Sequence, residues 1–202
     1  MTFSDTQLDA FREIINMGMG QAAGVLNTMT DSHVELQLPS VQILTVQELQ
    51  ARIHIMPEQI HSTVQMGFVS PFKGNASLVF PPESAAKLAM VLVGEDPSVP
   101  ALDEIRTATL SEVGNIVLNS VMGAISNELK LHISYLLPVY YETALEPILL
   151  ASTTEYTSQV IWIVARFVVQ AYQIMGDIII ILEVGALDRL MSAIEQQIAL
   201  NR

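Results

Sequence analysis

Residues 5–26 read DTQLDAFREIINMGMGQAAGVL. At about 100° of helical rotation per residue, Leu8, Phe11, Ile14, Ile15, Met19, Ala22, Val25 and Leu26 fall on one broad arc, with Asp9, Glu13, Asn16, Gly20 and Gly24 on the opposite side. The segment predicts an amphipathic helix of 22 residues, opened by Ser4-Asp5-Thr6-Gln7 with the spacing of a capping box. Its polar side is short-chained, glycine-rich and poor in lysine. Asn is a middling helix former and Gly a poor one, so local helix stability does not explain them.

The same arrangement restarts at residues 101–126. There Leu110, Val113, Val117, Leu118, Val121 and Ile125 make the apolar arc, and Glu112, Asn115, Asn119 and Gly123 lie opposite. At an offset of 99, Glu13, Asn16, Gly24, His33, Leu38 and Pro39 meet Glu112, Asn115, Gly123, His132, Leu137 and Pro138. At an offset of 102, Gly74 and Leu88 meet Gly176 and Leu190. The chain is therefore an internal duplication. It is a single domain, 1–202, of two pseudo-repeats at about 1–94 and 101–202, with GEDPSVP (94–100) as the linker.

Within the first half, HVELQL (33–38) and VQIL (41–44) read as strands broken at Pro39, followed by a short helical turn around 45–52. Strands follow at 61–70 and 74–80, joined through Pro71–Gly74, and then a helix from Pro81-Pro82 to Gly94. The second half predicts strands at roughly 132–141, 146–153, 157–170 and 176–183, and a closing helix at 186–200. Each long helix can lay its apolar arc on a shared antiparallel sheet, an α+β fold with pseudo-two-fold symmetry.

Composition narrows the function. Half of the 202 residues are hydrophobic and 15% are charged, which suits a packed globular chain. The net charge is 9 − 21 = −12, with no basic patch for phosphate neutralisation, so nucleic-acid binding is not expected. There is no cysteine, which excludes disulfides and thiolate metal sites. The N-terminus has no basic or apolar region of a secretory signal. The longest apolar tracts, VIWIVARFVV and DIIIILEVGAL, fall short of the roughly 20 residues of a membrane-spanning helix. A cytoplasmic protein without membrane insertion is expected.

Glu13 and Asn16, like Glu112 and Asn115, stand three apart on a helix, where Cβ atoms are about 5–6 Å from each other. One such pair is ordinarily a solvated surface feature. Its recurrence at matched positions, opposite the core arc both times, points to use. A carboxylate and an amide alone cannot fill a metal's coordination sphere, and they are no nucleophile–base pair. An amide can fix a water for in-line attack on a phosphoryl group, a reaction that depends mainly on positioning and charge stabilisation. A carboxylate can grip a cationic group of a partner. No tightly bound metal or other cofactor is expected on the chain.

The spacing resembles that of the CheC/CheX/FliY phosphatases of bacterial and archaeal chemotaxis, (Asp or Ser)-x3-Glu-x2-Asn-x22-Pro. Asp9, Glu13, Asn16 and Pro39 match throughout. Glu112, Asn115 and Pro138 match in the second copy, which has Ala108 at the first position. Helix, strands, FKGNASLVFPPESAAKLA, second helix and repeat extend the likeness over nearly the whole chain, and two copies resemble CheC more than single-site CheX. The resemblance implies hydrolysis of the aspartyl-phosphate of a CheY-like response regulator. The regulator would bring the phospho-aspartate, the Mg²⁺ and a lysine. Asn16 and Asn115 would orient the attacking water, and Glu13 and Glu112 would dock on the lysine. Ala108 would weaken the second site. The family also implies other roles: a non-catalytic regulator-binding or flagellar-switch module, or a scaffold for a CheD-like protein.

Elsewhere, His33 and His132 read as structural, the ten methionines as core filler, Trp162 as core, and Pro39 and Pro138 as strand breaks behind the long helices.

Overall fold

The capping residues read from the sequence act as such. The Ser4 amide donates to Gln7 Oε1 at 2.8 Å, and the Gln7 amide donates to Ser4 Oγ at 3.3 Å, satisfying two groups that a helix start leaves open. From there α1 runs Asp5–Thr30, a turn beyond the expected end at residue 26. A computed structural model describes residues 4–30, 33–54, 60–69, 71, 73–96, 103–151, 159–169, 172–183 and 185–200. Most of the 94–100 linker and part of the Pro71–Gly74 connection lie outside these residues.

The remaining elements are β1 (Val34–Thr45), α2 (Val46–His54), β2 (Ile60–Val69), β3 (Gly74–Phe80), α3 (Pro82–Leu92), α4 (Asp103–Glu128), β4 (Ser134–Tyr135), β5 (Val139–Ala144), α5 (Leu145–Ala151), β6 (Gln159–Val169), β7 (Tyr172–Leu182) and α6 (Ala186–Leu200). The seven strands form one antiparallel sheet in the order β1-β6-β7-β3-β2-β4, with β5 also on β2. The fold is α+β. The order reads the same from either end when β1, β2 and β3 are exchanged for β4/β5, β6 and β7. β1 pairs with β6 of the second half, while β4 and β5 pair with β2 of the first. The halves thus interlock within one sheet.

One face of the sheet carries the main core, packed by α1, α3, α4 and α6. Phe11, Ile15, Met19 and Leu26 of α1 and Leu110, Val113, Val117, Leu118, Val121 and Ile125 of α4 are all buried there, as the two apolar arcs require. Two glycines set how closely the long helices approach. A Cβ on Gly18 would lie 2.7 Å from Val121 Cα and 2.9 Å from Ser120 O, so α1 meets the backbone of α4 at that point. A Cβ on Gly114 would lie 2.4 Å from Val64 Cβ, so α4 rests on β2 with no side chain between.

Two expectations are corrected. Residues 146–153 are not a strand: Leu145–Ala151 form α5, and residues 152–153 are outside the described set. Pro147 has no amide to give to a sheet ladder but suits the first turn of a helix. Helical spacing then brings Leu145, Ile148 and Leu149 together, all buried. Its counterpart α2 is capped by Thr45 and Glu48, the Thr45 amide donating to Glu48 Oε2 at 2.7 Å and the Glu48 amide to Thr45 Oγ1 at 3.2 Å. Leu49 and Ile53 of α2 join Leu145 and Leu149 of α5 over Trp162, Ile179 and Ile181, a smaller core on the sheet's second face.

The two prolines also differ. Pro138 separates β4 from β5 as expected, but Pro39 does not end β1. The register shifts between Gln37 and Ser40 and the strand continues. A bulge leaves one residue unpaired, which accommodates a residue without an N–H.

Candidate functional site

α1 and α4 pass each other in opposite directions on the outer side of the main core. Gly18 touches Val121, and further along residues 24–29 face residues 112–116. Within each motif the flanking apolar residues turn inward: Ile14 and Ile15 in the first, Val113 and Gly114 in the second, all buried. Glu13, Asn16 and Glu112 are exposed and Asn115 is half-buried. Both Glu-x-x-Asn pairs are thus held on the outer side of helices whose inner side is fixed to the sheet.

The surroundings of the two pairs differ in three ways. Asn119 Nδ2 donates to Asn115 Oδ1 at 2.7 Å and to the Asn115 carbonyl at 2.8 Å. The residue four beyond Asn16 is Gly20, and the Asn16 side chain makes no hydrogen bond among the described residues. Second, Arg12 Nη1 donates to Asp9 Oδ1 at 3.1 Å, an exposed ion pair of a kind that contributes little to stability. Ala108, at the matching position of α4, has no polar group to offer.

Third, a groove of about 600 Å³ opens beside the second pair. It is lined by Gln21, Gly24, Val25, Thr28 and Met29 of α1 with Glu112 and Ile116 of α4. Val25, expected in the core, is 49% exposed here, and Met29 is 47% exposed. The helices touch at Gly18 and have diverged two turns later, so the flank that Val25 shares with Gly18 no longer meets α4. Beside the first pair, the repeat-equivalent residues are Ser120, Gly123, Ala124, Asn127, Glu128 and Met17. They are shorter or more polar, apart from the exposed Met17. The methionines accordingly divide: Met19, Met66, Met90 and Met122 are core, whereas Met17 and Met29 face outward near the two pairs.

His33 and His132 are exposed. Among the described residues no group of three or more His, Asp or Glu is placed to hold a metal ion, and no helix is long and apolar enough to cross a membrane. One polar cluster escaped the sequence reading. On the sheet's second face, Trp162 Nε1 donates to Asp177 Oδ1 at 3.0 Å, and the Arg52 guanidinium lies 4.5 Å from the Trp162 ring centroid. Burial pushes the Asp177 carboxyl above its ordinary range, opposed by the Trp162 hydrogen bond and by Arg52 and His61. An acid interrupting the run that becomes β7 was the available signal. The cluster lies across the sheet from both Glu-x-x-Asn pairs.

No protein-family profile matches the chain. Over 125 residues, 61% of its length, it is 26% identical to the flagellar motor switch phosphatase FliY of Bacillus subtilis (strain 168), and it spans about a third (32%) of that relative's length. The fold superposes on Thermotoga maritima FliY with a TM-score of 0.78 at 16% identity, over 98% of this chain and 100% of that one. It superposes on the FliM middle domain of H. pylori with a TM-score of 0.68 at 17% identity, over 95% and 99%. For CheX of Vibrio vulnificus the TM-score is 0.55 at 18% identity, over 85% and 99%. These structures share the fold, and the two-copy layout read as CheC-like is covered end to end by a FliY chain. In its fold, in the stretch of sequence it shares with FliY and in the twice-carried Glu-x2-Asn-x22-Pro spacing, the chain is similar to the CheC/CheX/FliY proteins.

Proposed function

We propose that this chain hydrolyses the aspartyl-phosphate of a CheY-like response regulator, with Asn16 and Asn115 orienting the attacking water and Glu13 and Glu112 docking the regulator. The observation that carries the reading is the placement of both Glu-x-x-Asn pairs on the outward sides of α1 and α4, with both Glu carboxylates exposed and both amides at least partly accessible. Neither pair contributes to the core, so packing does not account for the repeated residue types.

The chemistry follows from what each group can hold. The regulator brings the acyl phosphate and its Mg²⁺, so charge on the phosphoryl oxygens is met from the regulator's side. A side-chain amide oxygen accepts a hydrogen bond from a water and turns that water's lone pair toward phosphorus. The new P–O bond forms as the bond to the aspartyl oxygen breaks, leaving inorganic phosphate and a free carboxylate. Both protons of the water leave with the phosphate or pass from it to solvent. Glu13 or Glu112, one helical turn back, pairs with a regulator lysine and fixes the distance between amide and phosphorus.

The FliM likeness favours a second reading, in which the same faces bind a regulator or join a switch complex without hydrolysis. The fold alone does not separate the two, since FliY and FliM chains both superpose over nearly the full length. The test measures binding and phosphate release separately, using a CheY-type regulator charged with acetyl phosphate. Catalysis predicts faster phosphate release with the wild-type chain, and weaker binding after Glu13→Ala with Glu112→Ala. Binding with an unchanged phosphate lifetime would establish the second reading.

A further inference from the structure

We infer that Asn119 is a positioning residue for the second site: by donating to Asn115 Oδ1, it fixes which end of the Asn115 carboxamide faces the incoming phosphoryl group. The inference rests on the hydrolytic reading above for its consequence, but not for its geometry. Asn119 Nδ2 reaches both the carbonyl and the Oδ1 of Asn115, at 2.8 and 2.7 Å. A free carboxamide can present either its oxygen or its NH₂ by a half-turn of its last torsion. With Oδ1 held by a donor on the same helix, the flipped state would set two NH₂ groups against each other. Asn115 therefore keeps its NH₂ free to donate and one lone pair of Oδ1 free to accept.

The first site is built without this device. Gly20 stands where Asn119 stands in the second half, and the Asn16 side chain has no hydrogen-bond partner among the described residues. The difference falls where the second site is otherwise poorer, lacking the carboxylate of Asp9 and presenting a half-buried amide. Asn119 itself is exposed, so its substitution leaves the core intact.

Two measurements separate the inference from the reading it rests on. Side-chain ¹⁵N relaxation of the Asn NH₂ groups should show Asn115 rigid and Asn16 mobile in the wild-type chain, and Asn115 mobile in Asn119→Ala. An Asn115 amide as mobile as Asn16, or unaffected by Asn119→Ala, would overturn the inference whatever the protein's activity. In an Asn16→Ala background, with an acetyl-phosphate-charged CheY-type regulator, Asn119→Ala should lower kcat about 2- to 10-fold, the factor that freezing one side-chain rotor is worth. KM should stay unchanged. Asn119→Gln, which keeps the donor, should retain more kcat than Asn119→Asp, which repels Oδ1. With Asn16 restored and Asn115 replaced by Ala, Asn119→Ala should have no effect on the activity that the first site retains. A shift in KM alone, or the same loss without Asn115, would contradict positioning. Rigid NH₂ behaviour without any hydrolysis would leave the inference standing and remove the phosphatase reading.

Discussion

Glu13 and Asn16 sit on an open helix surface with an unengaged amide, a neighbouring carboxylate at Asp9 and small or polar residues around them. Glu112 and Asn115 sit beside an apolar groove, with the amide held by Asn119 and half-buried. The duplication preserved the Glu-x-x-Asn pair and changed its support. Gly114 accounts for part of this. Where α1 has Ile15 between helix and sheet, α4 has no side chain, so its backbone lies against Val64. A motif drawn toward the sheet by a side chain's thickness presents its asparagine less fully. Identical residues at matched spacing therefore do not make identical sites.

The largest effect on this contrast should come from Gly114 and Gly18. Gly114→Ala places a methyl 2.4–2.6 Å from three carbons of Val64, and Gly18→Ala places one 2.7 Å from the Val121 backbone. Each should destabilise the fold by about 1–3 kcal/mol in urea denaturation, the usual cost of overpacking a filled core. Gly114→Ala should also cost the second site more than the first. Equal loss at both sites would mean that the closeness of α4 to β2 has no bearing on Asn115.

A smaller effect of opposite sign belongs to Gly24 and Gly123, which match across the repeat and whose added Cβ would meet nothing within 4 Å. Alanine there should stabilise by roughly 0.4–1 kcal/mol, by lowering the entropy of the unfolded chain and favouring the helix. A loss of stability at either position would show that one helix approaches the other more closely than described.

The subtlest expected effect is a pH dependence, at a place where the halves again diverge. Asp177 matches Asn75 at the offset of 102. Burial raises the folded-state pKa of Asp177 above its unfolded value of about 3.9. The protonated form is then the one the fold prefers. The residue's contribution is full below the unfolded pKa and is lost as pH rises through the raised folded pKa. Asp177→Asn should remove that decline, so the variant should gain urea resistance over wild type as pH rises from about 4 to neutrality. A gap that narrows with rising pH would reverse the assignment.

Much of this was legible in the sequence because two periodicities overlapped. The 3.6-residue arcs of α1 and α4 placed Phe11, Ile15, Leu110 and Val117 inside and Glu13, Asn16 and Glu112 outside, and the repeat fixed which polar residues to compare. The failures have physical causes. Residues 146–153 are apolar enough for a strand, and the helix-favouring position of Pro147 was outweighed by that run. Pro39 was read as a break because a bulge leaves no mark in composition. Val25 fell on the core arc, but a helical wheel does not know that two crossing helices diverge. The Asn119–Asn115 hydrogen bond was within reach of i,i+4 spacing, yet the choice of partner depends on rotamers that spacing does not set.

The most direct test of the central claim, that the two asparagines are water-positioning groups at separate sites, is the lifetime of a phosphorylated CheY-type regulator. It should be followed with the wild-type chain, Asn16→Ala, Asn115→Ala and the double variant. Each single variant should keep activity from the other face, with Asn16→Ala losing more, since only its face has a carboxylate at the position occupied by Asp9. The double variant should fall by about 10²–10⁴-fold, the range typical of a positioned catalytic group, to the regulator's own decay. Wild-type activity in a folded double variant would contradict the claim, and near-complete loss in each single variant would show one composite site instead of two.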